Sequence, residues 1–474
     1  MKARSPLILL GAVAVLAGCA TVAPDRRLQD VQALTVPRTQ GIEAPLPRPD
    51  PQSRADAQAA IQTWLSTPLS EDKAVRIALL NNPGLQARLA GLGVSEARRV
   101  QALTLPNPQL TVGRLRSSQE REIERSLAFS LIDLLTLPWR APWQGLQLDI
   151  AVLQTAQDVL LLAADTRRAW LRAVTAEQVA AAHARMHEAT ETGAELARRM
   201  AQVGNWSRLQ MAREQALLAD SSARWARARL AAATEREQLN QRLGLWGVST
   251  RYALASQLPT LPTALQPAEG LESTALRERL DLQAARRQLD SLARRQGWAG
   301  AATVFGDIGL AYSRSTRTET ATGASDLRRG WELDLPLPLF DWGGAARSRA
   351  QAEVEQSAAL LQEAAVRARS EVRSAWHSYR TAHDLARQQR DEVVPLRQFI
   401  ASETTLRYNG MLASVWDLLS EARSSTQAVA NALEAQRDFW LADTDLQLTL
   451  TGTSPGALQR LTPGNATPLP APGH

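Results

Sequence analysis

The chain has 474 residues, 45% of them hydrophobic and 22% charged, which excludes a disordered polymer, and its 5% aromatic content is low for a dense enzyme core. Length alone suggests about three ordinary domains. Ala/Gln/Arg/Leu-rich stretches such as 344–394 point instead to long helices. Lys+Arg 54 against Asp+Glu 48 gives +6, and only Lys2 and Lys73 are lysines. The arginines are interleaved with acids, as in Arg121-Glu122-Ile123-Glu124-Arg125, and are not gathered into one patch. No nucleic-acid partner is expected from that pattern.

At the start, Lys2 and Arg4 precede an apolar run from Pro6 to Leu16, followed by Leu16-Ala17-Gly18-Cys19. The run is short of the ~20 residues of a membrane span and reads as a signal. It resembles a bacterial lipoprotein signal, with the chain's one cysteine at the lipidation position. That resemblance implies removal of residues 1–18 and a lipidated Cys19 as the first mature residue. It leaves no thiol for a disulfide, a metal or catalysis. Loss of Lys2 and Arg4 lowers the charge from +6 to +4. Ala20, in place of an Asp that would resemble an inner-membrane retention signal, implies the outer membrane.

Residues 19–64, with Pro37, Pro45, Pro47, Pro49 and Pro51, read as an extended N-terminal linker. A first repeat covers 65–245. Its helix starts at Ser70-Glu71-Asp72, breaks at Asn81-Asn82-Pro83-Gly84 and resumes toward Leu105. Strands are expected at about 108–116 and 121–131; in the second, Ile123, Leu127, Phe129 and Leu131 alternate with Glu124, Ser126, Ala128 and Ser130. A helix from about Leu146 to Val203 follows, then a turn at Gly204 with Ser207 as the next cap, and a helix returning to Leu243-Gly244.

After a linker at 246–270, the plan recurs over 271–452, where Leu282-Gln283-Ala284 matches Leu85-Gln86-Ala87 at an offset of 197. Strands are expected at about 302–313 and 331–340, each close to the length that crosses a bilayer in a tilted barrel. Ala350, Val354, Ala358, Leu361, Ala365, Ala368, Val372, Ala375, Tyr379, Ala382 and Ala386 then step by threes and fours, a coiled-coil seam. A turn at Gly410 leads to Ser414 and a helix ending at Leu450-Thr451-Gly452; the Pro-rich tail 453–474 reads as disordered. Ile123, Leu127, Phe129, Trp331, Leu333 and Leu335 are expected to face lipid, and Glu124, Glu332 and Asp334 water. Trp139, Trp143, Trp331 and Trp342 lie near strand ends, where indoles favour a membrane interface.

The lipoprotein start, the Asn81-Asn82-Pro83-Gly84-Leu85 break, the segment from Leu335 to Gly344, and Arg407-Tyr408-Asn409-Gly410 before Asp417-Leu418-Leu419 together resemble the TolC family of outer-membrane efflux ducts. The resemblance covers about 65–452 and departs at Leu280, where the family commonly has Pro. Four strands per chain cannot close a barrel, so copies must associate; two chains make 8 strands with a filled interior, three make 12 with an open one. The resemblance implies the second: a mainly α fold with a transmembrane β-barrel part, trimeric, its 12-stranded barrel standing on an α-helical periplasmic tunnel. It implies a periplasmic membrane-fusion adaptor and an inner-membrane pump of RND type as partners. It places Gly204, Asn205, Gly410 and Met411 at the periplasmic tip that contacts the adaptor. Arg407, Tyr408, Asp417 and Glu421 fall at the aperture.

No catalytic constellation, metal site or cofactor motif stands out. His183 and His187, four apart with no Cys or clustered carboxylate beside them, read as surface histidines, and His377 and His383 do not share a face. Walker, nucleophile-elbow and dinucleotide signatures are missing, so a non-enzyme is expected. Two other readings compete: a lipid-anchored periplasmic coiled-coil scaffold without a pore, and a duct for type I protein secretion.

Overall fold

The computed structural model describes residues 24–455, apart from 40, 41, 43–45, 48, 49, 305–307 and 338, and leaves out the side chains of 24–26, 133–135, 139 and 298–304. Cys19 and most of the Pro-rich tail lie outside the described residues. The chain divides into two compact units, one formed by residues 1–31, 89–155 and 282–365, the other by 32–88, 156–281 and 366–474. Each takes segments from both sequence repeats.

In chain order come α1 (Pro24–Thr35), a 3-10 turn (Val36–Arg38), α2 (Pro51–Leu65), α3 (Glu71–Asn81), α4 (Pro83–Leu103), β1 (Gln109–Arg116), β2 (Glu120–Ser130), α5 (Leu131–Gln202) and α6 (Arg208–Leu243). The second half holds α7 (Leu271–Glu278), α8 (Leu280–Val304), β3 (Gly309–Glu319), β4 (Ser325–Asp334), α9 (Gly344–Gln388), a π-helical turn (Gln389–Val393), α10 (Val394–Asn409) and α11 (Val415–Thr451). The expected extended linker at 19–64 is corrected: α1 and α2 form there, and Asp50 caps α2 by accepting from the Ser53 amide at 2.7 Å.

The first unit carries one antiparallel sheet in the order β1-β2-β3-β4. Its first strand pair falls where the sequence places it, but β3 starts at Gly309 and β4 ends at Asp334, several residues from the expected 302–313 and 331–340. Residues 302–304 belong to α8, and β3 runs on past the expected end at 313 through Thr316 and Thr318, because β-branched threonines favour extended backbone. Gly323, at φ +67°, makes the hairpin turn. Pro336 lies beyond the ladder, which proline cannot continue. Likewise α5 begins at Leu131, well before Leu146, with Pro138 and Pro142 inside it.

The second unit is helical around two apolar clusters. In one, Leu69, Ile77 and Ala78 meet Trp170, Val174, Leu239, Leu243 and Leu441. Leu69 is held from both sides: its amide donates to Ala253 O at 2.8 Å, and its carbonyl accepts from Trp170 Nε1 at 2.8 Å. In the other, Val372, Ala375, Tyr379, Ala382 and Ala386 of α9 pack on Phe439, Ala442, Leu446 and Leu450 of α11. The alanine seam is therefore buried from Ala368 to Ala386, whereas Ala358 in the first unit is exposed.

The repeat is visible in the backbone. α3 breaks at Asn82 with φ −66°, ψ 118°, and α7 breaks at Arg279 with φ −61°, ψ 125°, one residue before Pro83 and Leu280 respectively. At the second break the Leu280 amide donates to Gly452 O at 3.0 Å, a bond that a proline at this position could not make. The π-helical turn sits just before Pro395, whose missing N–H and ring disturb the regular ladder there.

Candidate functional site

Two places carry functional geometry: the sheet in the first unit and two capped helix turns in the second.

Strand pairing sorts the sheet into two faces. Partners across the ladder share a face and alternate residues switch it. One face therefore carries the rows Phe129–Leu310–Leu333 and Leu110–Leu127–Tyr312–Trp331, with Tyr312 and Trp331 in ring contact at 5.0 Å. The same face continues through Val112–Arg125–Arg314–Arg329 to Arg114–Ile123–Thr316–Leu327. The opposite face carries Gln109–Ala128–Ala311–Glu332, Thr111–Ser126–Ser313–Gly330, Gly113–Glu124–Ser315–Arg328 and Leu115–Glu122–Arg317–Asp326. One face is apolar and arginine-bearing, the other small, polar and acidic. The expected sides of Ile123, Leu127, Phe129, Trp331 and Leu333 against Glu124, Glu332 and Asp334 agree with this sorting; Leu335 lies past the end of β4.

The four tryptophans do not behave alike. Trp331 is exposed, but it stands within β4 and not at a strand end. Trp342 is exposed after the strand, beside Phe340. Trp143 is half-buried in α5 with the Arg295 guanidinium 5.5 Å from its ring centre. The Trp139 side chain lies outside the described residues.

Helix α5 stops in a Schellman-type turn: Gly204 takes φ +80°, and the Asn205 amide donates to Met200 O at 2.9 Å. Ser207 and Gln210 then form a capping box, with Gln210 N to Ser207 Oγ at 3.2 Å and Ser207 N to Gln210 Oε1 at 2.8 Å. Helix α10 ends in the same construction displaced by one residue from the sequence match. Gly410 has φ −81°, and Met411 carries the left-handed φ of 61°, with Leu412 N donating to Arg407 O at 2.8 Å. The structural counterpart of Gly204 is thus Met411, and the expected turn at Gly410 has its left-handed residue one position later. Ser414 and Asp417 repeat the capping box, at 3.1 Å for Asp417 N to Ser414 Oγ and 3.0 Å for Ser414 N to Asp417 Oδ2. Apolar side chains stand exposed at both turns: Val203 and Leu209 at the first, Leu406, Met411 and Leu412 at the second.

Of the expected aperture residues, Asp417 is exposed but committed to its cap, and hydrogen bonds from Ser414 hold its carboxyl below the usual range. Glu421 is half-buried with Arg397 Nη1 3.7 Å away. Arg407 is exposed, and Tyr408 is half-buried. His183 and His187, read as surface histidines, are half-buried: His187 stacks on Trp225 at 4.9 Å, and burial and Arg224 lower the His183 pKa. His383 is buried with Nε2 3.1 Å from Pro262 O. Among the described residues no group of three or more His, Cys, Asp or Glu is placed to hold a metal ion. Sequence reading missed Glu214, buried in the second turn of α6 with neither carboxylate oxygen hydrogen-bonded among the described residues; no motif marks it.

No protein-family model and no curated protein matches the chain. Solved structures do. The chain is similar to the CmeC outer membrane channel of Campylobacter jejuni at 14% identity and TM-score 0.68, covering 82% of this chain and 87% of that one. It is similar to the open state of the MtrE outer membrane channel of Neisseria gonorrhoeae at 18% and 0.64, covering 80% and 88%. CusC, whose structures report conformational changes accompanying folding and transmembrane channel formation, aligns at 16% and 0.64, covering 81% and 92%. The chain has the fold of these outer-membrane channel proteins.

Proposed function

We propose that this protein is the outer-membrane duct of a tripartite efflux system, belonging with the TolC family and giving drugs or metal ions a passive route out of the cell. The two-faced sheet carries the proposal. Its apolar face suits lipid, its small polar face suits a lumen, and β1 and β4 are its edges. An open edge cannot stand in hydrocarbon, because its N–H and C=O groups have no partner there. An even number of antiparallel strands lets β4 of one copy pair with β1 of the next in the same sense. Three copies make a 12-stranded barrel wide enough for passage. The channel fold shared with CmeC, MtrE and CusC supports the same reading. A pore-less scaffold would leave this sheet unused.

The capped turns at Gly204 and Met411, with their exposed apolar side chains, serve as the docking tip for a periplasmic adaptor, which joins the duct to an inner-membrane pump. Gly204, Asn205, Gly410 and Met411 make the contacts, and Arg407, Tyr408, Asp417 and Glu421 ring the aperture. Cys19 carries the lipid anchor. No step in this transport requires a bond-making group. Planar-bilayer recording tests the proposal: the detergent-purified protein is expected to run as a trimer and conduct ions in steady steps, and a species that never conducts would sink it.

A further inference from the structure

Strand register segregates the arginines of the sheet in a way the linear sequence hides. Arg125, Arg314 and Arg329 are direct neighbours in one cross-strand row, and Arg116 and Arg121 pair in another on the same face. Arg114 joins them there. Every acidic residue in the sheet, Glu120, Glu122, Glu124, Glu319, Asp326, Glu332 and Asp334, belongs to the opposite face. That face holds only Arg317 and Arg328, and both are ion-paired: Arg317 to Glu120 at 3.3 Å, Arg328 to Asp326 at 3.2 Å. None of the six arginines on the apolar face has an acidic partner among the described residues, and all six are exposed.

Like charges directly across a ladder destabilise a sheet. With strands about 4.8 Å apart, the row sets the backbone positions of the three arginines within about 10 Å of one another. It stands where the face changes character: the rows Leu110–Leu127–Tyr312–Trp331 and Phe129–Leu310–Leu333 on one side are apolar, and the rows Arg114–Ile123–Thr316–Leu327 and Arg116–Arg121–Thr318–Ser325 toward the hairpin turns mix arginine and polar side chains with apolar ones. An arginine facing hydrocarbon costs several kcal/mol at mid-depth and little at the headgroup boundary, where its stem lies along apolar surface and its head reaches outward. What compensates the row there must be anionic, must come from outside the chain, and must accept from planar donor forks. Phosphate meets all three conditions.

We propose that Arg125, Arg314 and Arg329 form a binding row for the phosphate groups of lipid headgroups that surround the barrel; this rests on the reading of the sheet as lipid-embedded. A headgroup bearing two phosphates matches the row better than a singly charged one, because it spans neighbouring guanidinium groups. Arg116, Arg121 and Arg114, farther along the same face, extend the basic surface toward the hairpin turns.

The test uses full-length trimer in phosphatidylcholine nanodiscs doped with diphosphorylated lipid A or with its dephosphorylated form, and native mass spectrometry counts the lipid retained. The wild-type protein is expected to prefer the phosphorylated form by at least about tenfold, and the R125Q/R314Q/R329Q variant to lose that preference. R317Q, on the other face, is expected to keep it. Equal retention of the two lipids by wild type, preference persisting in the triple variant, loss of preference in R317Q, or release of the lipid by excess inorganic phosphate would each overturn the assignment. Conductance of the same preparations is read separately: a failed pore with intact lipid preference sinks the duct reading alone, and a conducting triple variant without preference supports both.

Discussion

Glu214 on α6 faces Gly193 on α5 so closely that a methyl group on Gly193 would lie 3.7 Å from the Glu214 carboxylate and 2.7 Å from Leu419 Cδ1 of α11. Three helices thus meet over one glycine, and a carboxyl group is buried there without a hydrogen-bond partner among the described residues. Burial raises its pKa. A raised carboxyl pKa favours the folded state below the ordinary carboxylate range and withdraws that contribution as pH climbs through the folded-state value. Glu214→Gln is expected to raise the thermal midpoint at pH 8 and to change it little at pH 4. Equal effects at both pH values in a melting series would show that the site is not desolvated. Gly193→Ala is expected to cost about 1–3 kcal/mol by overpacking against Leu419.

A second pH dependence belongs to the cluster where Arg167 lies 3.2 Å from Glu71 and also faces Asp443. Burial pushes the Asp443 carboxyl up to about 6 against the pull of Arg167, and burial raises Glu71 as well. Both shifts are upward, so this packing is firmest below the ordinary carboxylate range and loosens as pH rises through about 6. Asp443→Asn is expected to flatten stability between pH 5 and pH 8, measured by differential scanning calorimetry beside wild type. An unchanged slope would assign the dependence elsewhere.

The two helix stops make a sharp comparison. Met411 holds a left-handed φ that costs a residue with a Cβ about 1–2 kcal/mol, and Gly204 holds the same conformation at no such cost. Met411→Gly is therefore expected to stabilise by about 1 kcal/mol and Gly204→Ala to destabilise by about as much. Gly410→Ala is expected to be near neutral, since φ is −81° and the nearest atom to an added Cβ is Leu406 O at 3.5 Å. Denaturant midpoints that reverse the order of positions 410 and 411 would restore the sequence-based pairing of the glycines.

Arg279, at 2% exposure, donates to Asp281 at 3.0 and 2.6 Å and to Glu371 at 2.8 Å. It joins the second helix break to α9. Removing one partner of a buried charge network strands the others, so Arg279→Ala is expected to cost about 3–5 kcal/mol, and Lys, which lacks the planar fork, to recover only part. Leu280→Pro is expected to destabilise through loss of the bond to Gly452. Urea unfolding of these variants measures both, and a neutral Leu280→Pro would show that the bond to Gly452 contributes nothing.

Much of the order of elements was legible because local signals agree with it. Ser70, Ser207 and Ser414 are caps in the sequence and caps in the structure, since the capping hydrogen bond closes within three residues. The break before Pro83 follows from proline's own geometry, and the break before Leu280 from the repeat. The second hairpin slipped because its strand signal is spread over threonines and arginines and resembles a polar loop, while the apolar Leu335–Phe340 run is interrupted by Pro336 and Pro338. Glu214 left no trace in sequence, because its burial depends on Gly193 and Leu419 arriving from other helices.

By itself the sequence determined the long helices of both repeats, their serine caps, the break before Pro83 and the alternation within the first strand pair, all of which rest on contacts between residues a few positions apart. Register and burial were decided only in the tertiary structure. Arg121-Glu122-Ile123-Glu124-Arg125 reads as balanced charge along the chain, yet alternation within β2 sends its arginines to one face and its glutamates to the other, and pairing sets Arg125 beside Arg314 and Arg314 beside Arg329. Charge balance along a strand says nothing of charge balance across a sheet, because strand geometry separates neighbours and joins residues distant in the chain.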